Sequence, residues 1–358
     1  MQQIIMIFLI FCLVLFFYLH IYFHLKTSND LEVYDICQPS KEKLEEICDL
    51  RQPVIFQFNN ETFLETCTQK TVGELYGAFD VNIRNINNGP IDGDIYAPTE
   101  LKKAITIIEE DVEEKIIIEN NNEFLDETGL LKHYKYNDTF LRPFMVSDCK
   151  YDFLTGSKGA CSPFRYDLNY RNYYLVTEGS VRIKIAPPKS TKYMYSVEDY
   201  DNFEFRSPIN CWNVQGQYAQ EFNKVKCMDF TVNKGQIVFI PAYWWISIRF
   251  ETTKTTVCSF KYKTFMNTFS LFPKLFLRLV NQQNNIKNEL EKTFKKITCN
   301  YAEEVNIQTT KVDTSVTGAS ASVTGAVETI ETDTNNKVKE TVIDKGEEIK
   351  VIDSVTVN

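Results

Sequence analysis

The residues that best suggest chemistry lie in one β-rich stretch, SPFRYDLNYRNYYLVTEGSVRIKIAPP, at residues 162–188. Arg165 and Asp167 are two positions apart on a predicted strand, so their side chains point to the same face. A histidine at the first position would make this pair the beginning of a non-haem iron site, which uses two imidazoles and one carboxylate. The chain has arginine there, a permanent cation without a lone pair for a metal. The sequence therefore raises the question of what this cation does beside Asp167.

The number of histidines limits metal chemistry in any alignment. The chain has three histidines, and His20 and His24 lie at the end of an apolar N-terminal run, which leaves only His133 for the rest. A two-histidine site therefore cannot be assembled within one chain. The ten cysteines form no CxxC pair, and we find no phosphate loop, HExxH motif or nucleophile elbow. We expect no metal, no cofactor and no catalytic residues.

The elements that must position Arg165 and Asp167 are mostly strands. Two β-rich runs flank Glu178-Gly179, which we interpret as a hairpin-like junction. GQIVFIPAYWWISIRF at 235–250 predicts two strands around a proline, and TTVCSFKY at 255–262 predicts another. This density of short strands with turn signals is typical of a sandwich or barrel.

Helices are predicted before and after these strands. Ser40 is a candidate cap for a short helix through Leu50, and QPVIFQF at 52–58 predicts a buried strand after it. Further helices are predicted from Pro98-Thr99 and over 123–133. The sequence thus predicts a mainly β fold with flanking helices (α+β).

Two segments, RYDLNYRNYYLVTEGSVRIKIAPP and KGQIVFIPAYWWISI, together resemble the Jumonji-C-related cupin-like family. The resemblance covers about residues 30–270. It implies a double-stranded β-helix, a squat barrel of two antiparallel sheets. Active members of this family are Fe(II)- and 2-oxoglutarate-dependent oxygenases.

The resemblance also says which positions would carry that chemistry. It implies the two iron-binding histidines at Arg165 and Ile246, the carboxylate at Asp167 and the 2-oxoglutarate lysine at Val181, so only Asp167 is retained. One extra residue separates Arg165 from Asn172, and an alignment anchored on Asn172 would instead place Tyr166 and Leu168 at ligand positions. The predicted degenerate pocket consists of Arg165, Asp167, Asn172, Tyr174, Val181 and Ile246.

Three functions remain open at this point. We favour a catalytically inactive domain that acts in binding or scaffolding, in which an Arg165–Asp167 ion pair fills the place of the metal. Arg165 could instead hold an anionic ligand through its planar guanidinium. The alternatives are a divergent Fe(II)/2-oxoglutarate oxygenase (hydroxylase) or another enzyme in the same pocket, and a structural membrane component that binds nothing small.

The apolar run from Ile4 to Phe23 has the length that a helix needs to cross a bilayer. A cleaved signal peptide is the alternative. No basic residue precedes the run, its apolar core is too long for a signal peptide, and no small-residue cleavage site follows. We therefore predict a single-pass membrane protein, with the side of the membrane undetermined.

The predicted organisation has four parts: an anchor at 4–23, the cupin-like domain at 30–263, a helical segment at 264–300 and a disordered polar tail at 307–358. Large apolar residues in 265–297 suggest packing on the barrel, a homodimer interface or a membrane-surface helix. The net charge of −9 and the absence of a basic patch argue against nucleic acid as a partner. We expect a protein partner of unknown identity at the membrane.

Overall fold

The computed structural model describes residues 1–86, 95–200, 202–284 and 286. The helices are α1 Gln2–Leu25, α2 Lys41–Asp49, α3 Glu61–Thr66, α4 Gln69–Tyr76, α5 Leu101–Glu110, α6 Asn122–Glu127, α7 Leu130–Asn137, α8 Ala219–Phe222 and α9 Phe265–Ser270. After Leu271 a further helix, α10, follows at 272–284. The predicted tail at 307–358 and the end of the predicted helical segment at 264–300 lie outside the described residues.

Within the described residues, fifteen strands connect these helices. They are β1 Tyr34–Ile36, β2 Val54–Gln57, β3 Asp80–Asn85, β4 Ala97–Glu100, β5 Ile116–Ile118, β6 Val146–Gly156, β7 Arg165–Tyr166, β8 Arg171–Glu178, β9 Ser180–Ala186, β10 Val197–Asp199, β11 Glu204–Arg206, β12 Met228–Asn233, β13 Gln236–Pro241, β14 Trp245–Phe250 and β15 Thr256–Thr264. Short 3-10 turns lie at Pro188–Tyr193 and Gly216–Tyr218.

The strands form two sheets that enclose an apolar core. The larger sheet has the order β1-β2-β13-β8-β15-β6-β5-β3-β4, and the smaller has the order β10-β11-β7-β14-β9-β12. Side chains from both sheets pack together between them, among them Tyr174 and Val238 from the larger sheet and Val181, Ile246 and Ile248 from the smaller. We call this cluster the inter-sheet core. The α2–α7 helices contribute to a second core on the other face of the larger sheet. The predicted mainly β fold with flanking helices is confirmed.

Gly179 carries the chain from one sheet into the other. β8 pairs with β13 and β15 in the larger sheet, whereas β9 pairs with β12 and β14 in the smaller one. The predicted hairpin-like junction is therefore wrong, because the period of two identifies strands but not their partners. Gly179 has φ +75°, and a Cβ atom there would lie 2.6 Å from the Thr255 hydroxyl oxygen. Only glycine fits this crossing without strain.

Helix boundaries follow local capping and turn chemistry. Ser40 accepts a hydrogen bond from the backbone nitrogen of Lys43, which confirms the predicted cap of α2. The helix predicted over 123–133 is divided by Gly129, which has φ +74° and separates α6 from α7. Pro98 and Thr99 belong to β4, which pairs with β3, so α5 begins only at Leu101.

The N-terminal helix α1 is the one helix among the described residues that is long and apolar enough to cross a membrane. Its length and composition fit the predicted anchor, and a signal sequence would have the same properties. Near its end, His24 is buried against Tyr170, with 5.1 Å between the ring centroids. The end of α1 therefore packs on the β domain.

Candidate functional site

A polar cleft of about 140 Å³ contains the residues that the sequence analysis started from. Its charged lining residues are Glu119, Lys150, Asp152, Arg165, Asp167, Glu204, Lys261 and Lys263. A larger groove of about 540 Å³ between α4 and α5 contains none of the predicted site residues. The cleft is therefore the candidate site.

Arg165 lies on β7 and forms ion pairs with two glutamates. Its Nη2 atom is 2.6 Å from Oε2 of Glu119, and its Nη1 atom is 3.0 Å from Oε1 of Glu204. A second arginine, Arg84 on β3, contacts the same two carboxylates at 2.8 Å each. We call these four residues the arginine–glutamate cluster. The ion pair between Arg165 and Asp167 predicted from the sequence is thus replaced by contacts to Glu119 and Glu204.

The cluster keeps a buried carboxylate ionised. Glu119 is fully buried, and burial alone would raise the pKa of its carboxyl group. The guanidinium groups of Arg165 and Arg84 outweigh burial and lower the Glu119 pKa to about 2. The pKa of Glu204 is lowered by the same two arginines, again against the effect of burial. The two glutamates therefore stay ionised between the guanidinium groups of Arg84 and Arg165, and Glu204 also pairs with Arg206 at 2.9 Å.

Asp167 has its own cation, which comes from β15. Its Oδ2 atom is 2.9 Å from Nζ of Lys261 and accepts a hydrogen bond of 3.0 Å from the hydroxyl group of Tyr174. Burial would raise the pKa of Asp167, but Lys261 and Arg165 outweigh it and lower the pKa below the usual value. This carboxylate is thus already paired with an ammonium group.

Asp152 holds the backbone next to Glu119, a member of the arginine–glutamate cluster. Its two carboxylate oxygens accept hydrogen bonds of 2.8 Å from the backbone nitrogens of Asn120 and Asn121, directly after Glu119. Burial raises the Asp152 pKa to about 6, although these hydrogen bonds oppose the shift. Asp152 therefore titrates closest to neutrality among the cleft carboxylates whose pKa values are shifted.

The other predicted pocket residues lie away from the cleft. Val181 and Ile246 belong to the inter-sheet core, as does Tyr174 apart from its hydroxyl group at Asp167. Asn172 is fully buried, and its amide donates a hydrogen bond of 3.2 Å to the carbonyl of Ile240. The structure thus brings Arg165, Asp167 and the Tyr174 hydroxyl together and uses the remaining residues for packing.

The register of the strands bears on the two alignments that the sequence left open. Arg165 and Ile246 are direct cross-strand partners in β7 and β14, and Asp167 follows two residues after Arg165. This pairing favours the alignment in which the resemblance implies the two histidines at positions 165 and 246. In the alternative alignment Tyr166 would be a ligand, but its ring packs on Trp245 at 5.0 Å between centroids.

The residues at these positions do not fit iron. A guanidinium group and an isoleucine side chain offer no lone pair, and Asp167 is already bound by Lys261. In the part of the chain that the structure describes, no group of three or more histidine, cysteine, aspartate or glutamate residues is arranged to hold a metal ion. We therefore derive no step through iron or 2-oxoglutarate.

Sequence reasoning missed four charged residues that form the ion pairs around Arg165 and Asp167. Arg84, Glu119, Glu204 and Lys261 come from β3, the end of β5, β11 and β15, far from Arg165 and Asp167 along the chain. One signal was present: Lys261 is a charged residue between Phe260 and Tyr262 in a strand that is otherwise buried. A charge at such a position predicts a buried partner.

The comparisons with known proteins agree with this architecture. The family described as "Cupin-like domain" matches residues 39–268, which is more than half of the chain. HSPB1-associated protein 1 from Bos taurus, from Rattus norvegicus and from Homo sapiens is in each case 30% identical over 91 residues. Those residues are 25% of this chain and 19% of each relative, so the similarity covers a small part of those proteins. By its match over residues 39–268, this chain belongs to the cupin-like domain family.

Proposed function

We propose that this protein is a membrane-anchored cupin-like protein that does not perform iron chemistry and acts by binding another protein at a membrane. The observation that carries the proposal is the set of side chains at the metal positions. Arg165 is engaged with Glu119 and Glu204, Asp167 is engaged with Lys261, and Ile246 is packed in the inter-sheet core.

The energetics of the cluster support a structural use of these charges. Removing one partner of a buried ion pair costs about 3–5 kcal/mol, because the remaining charge is left without compensation. A metal ion at Asp167 would have to displace the Lys261 ammonium and would lie close to the Arg165 cation. The charges in the cleft therefore oppose a cation at this place.

One further observation supports the membrane location, and another supports protein binding. Residues 1–16 of the chain are all exposed, and large apolar side chains predominate among them. The relatives that match over 91 residues are named for their association with another protein, HSPB1. We carry over only the general role of protein binding, with the partner unidentified.

A divergent Fe(II)/2-oxoglutarate hydroxylase is the second candidate, and the observation in its favour is the retained Asp167 beside an open polar cleft. One experiment separates the two. Full-length protein in lipid nanodiscs is incubated anaerobically with Mn(II), which replaces Fe(II), and its melting temperature is followed with and without 2-oxoglutarate.

We expect no shift in melting temperature with either addition. A shift that requires both Mn(II) and 2-oxoglutarate would contradict the proposal and favour the hydroxylase. Mg(II) serves as the matched control for general effects of a divalent cation.

A further inference from the structure

We propose that α9 and α10 form a second membrane contact, lying in the bilayer interface beside α1 with their outer apolar face in lipid. This inference rests on the proposed anchoring by α1. It assigns a lipid surface to a part of the chain for which packing, dimerisation and membrane contact were all open from the sequence.

The outer face of α9 and α10 is apolar. Its exposed large side chains are Phe265, Phe269, Phe272, Phe276, Leu277, Leu279 and Val280, and Phe272 is 64% exposed. A helix on the surface of a globular protein in water has the opposite arrangement, with its apolar stripe towards the core. A continuous apolar face of this kind indicates a contact with lipid or with protein.

The cations of α10 point towards the protein instead of the solvent. Lys274 is 3.2 Å from the Glu198 carboxylate and 4.5 Å from the ring centroid of Phe205. The Arg278 guanidinium lies 5.0 Å from the ring centroid of Phe203. These contacts direct the charged side of the helix inward and leave the phenylalanine side outward.

The orientation of the two helices is fixed by packing. Thr264 caps α9 by accepting a hydrogen bond from the backbone nitrogen of Asn267, which is itself buried. Leu271, between the helices, is buried in the cluster that includes Trp245. The apolar face therefore cannot turn inward without breaking the contacts of both helices.

The position of α1 selects lipid as the occupant of this face. α1 has 24 residues and is about 36 Å long at 1.5 Å per residue. Its residues 2–16, which are all exposed, span about 22 Å, which is shorter than the roughly 30 Å of a bilayer core. For α1 to span the bilayer, the hydrocarbon must therefore extend past Phe17.

Phe17 is the residue at which α9 meets α1. The ring centroids of Phe17 and Phe269 are 5.6 Å apart. Phe269 is therefore at the same depth as Phe17, inside the apolar layer that the anchor needs. The exposed side chain of Phe144 lies close to the start of α9. Its neighbour Met145 accepts a hydrogen bond at its carbonyl from the backbone N–H of Phe265, the first residue of α9. The lipid-facing surface thus continues from α1 across α9 and α10 to this loop.

Site-specific photocrosslinking in the full-length protein tests this inference. p-Benzoylphenylalanine replaces Phe272 or Phe276 in protein reconstituted into phosphatidylcholine nanodiscs, and adducts are identified by mass spectrometry after irradiation. These side chains are exposed, so an aromatic replacement preserves the packing, and the melting temperature of each variant verifies that it is folded. Phe8 in α1 is the reference position for the anchor.

Val112 provides the control for an exposed position far from lipid. It is 91% exposed and precedes Ile116, whose carbonyl accepts from Ser157 just after the end of β6. α9 lies at the opposite end of this 11-residue strand, whose length is about 35 Å, so Val112 is far from the apolar face of α9 and α10. We expect lipid adducts at positions 8, 272 and 276, at least tenfold above the level at 112.

The outcomes distinguish this inference from the proposed anchoring. Lipid adducts at 8 with adducts to a second protein chain at 272 and 276 would overturn the inference in favour of an interface between copies. Lipid adducts at 8 with only the background level at 272 and 276 would also overturn it. Background levels at position 8 itself would refute the anchoring by α1, whatever is found at 272 and 276.

Discussion

The contacts of Arg165 show how a permanent cation is accommodated inside a cupin-like domain. A buried guanidinium needs carboxylate partners, and Glu119 and Glu204 supply them to Arg165 while also pairing with Arg84. The sequence could predict that a buried Arg165 needs such partners, but it could not predict which residues they are. Glu119 and Glu204 are 46 and 39 residues away along the chain and are brought to Arg165 only by the tertiary fold.

Replacing Arg165 by methionine tests the energetic role of the cluster. We expect Arg165→Met to lower the free energy of unfolding by about 3–5 kcal/mol, because the fully buried Glu119 would keep Arg84 as its single ion-pair partner. Arg182→Met is the matched control, since Arg182 pairs with Asp229 on the neighbouring strand and its side chain is 48% exposed. It should cost about 1 kcal/mol or less in urea denaturation. Equal losses for the two variants would contradict this role.

The pH dependence of stability should report the ionisation of Glu119. Its pKa falls from the ordinary 4.5 to about 2 in the folded protein. A lowered carboxyl pKa stabilises the fold at pH values above the unfolded pKa, and this contribution is lost as the pH falls through the folded pKa. Between pH 4.5 and pH 2, we expect the free energy of unfolding to decrease more steeply in the wild type than in Glu119→Gln. Parallel profiles in urea titrations would show that Glu119 is not the responsible group.

The strands were the most predictable elements, and their partners were the least. QPVIFQF, GQIVFIPAYWWISIRF and TTVCSFKY form strands as predicted, because apolar β-branched and aromatic runs of this length have few other uses. The adjacent residues Trp244 and Trp245 pack in different clusters. The crossing at Gly179 was missed because local sequence does not state which sheet a strand joins.

Gly179 gives a test of that crossing. We expect Gly179→Ala to destabilise the protein by about 1–3 kcal/mol, since the residue has φ +75° and its new methyl group would collide with Thr252 and Thr255. Gly216→Ala is the control, because no atom lies within 4 Å of its Cβ position and its φ is not positive. That change should stay within about 0.5 kcal/mol in thermal or urea unfolding. A loss at Gly216 as large as that at Gly179 would rule out this explanation.

The described part of the protein combines a cupin-like domain, in which Arg165 and Asp167 are engaged in ion pairs, with an apolar helix whose end packs on it. The sequence predicted both parts, because apolar length and motif spacing are local properties. The contact between Phe17 and Phe269 and the outward face of α10 depend on tertiary packing and could not be predicted in the same way.

Charges placed in α1 should release the protein from membranes. We expect Leu13→Arg combined with Val14→Arg to remove most of the protein from the fraction that resists alkaline extraction, since each arginine costs about 2.5–3.5 kcal/mol at the centre of a membrane helix. Leu75→Arg combined with Val112→Arg adds the same charge at exposed sites on the domain and should leave the fraction unchanged. A mature wild-type protein whose mass lacks α1 would identify a cleaved signal sequence and contradict the anchoring.

The most direct test concerns the side chains at positions 165, 246 and 261, which according to the proposed function prevent a metal ion from binding. Bound Mn(II) per chain is measured by mass spectrometry in the wild type and in a variant with Arg165→His, Ile246→His and Lys261→Ala, each verified as folded. The account predicts no bound metal in the wild type and about one ion per chain in the variant, whose two imidazoles and freed Asp167 form a three-ligand face. One Mn(II) per chain in the wild type would contradict it.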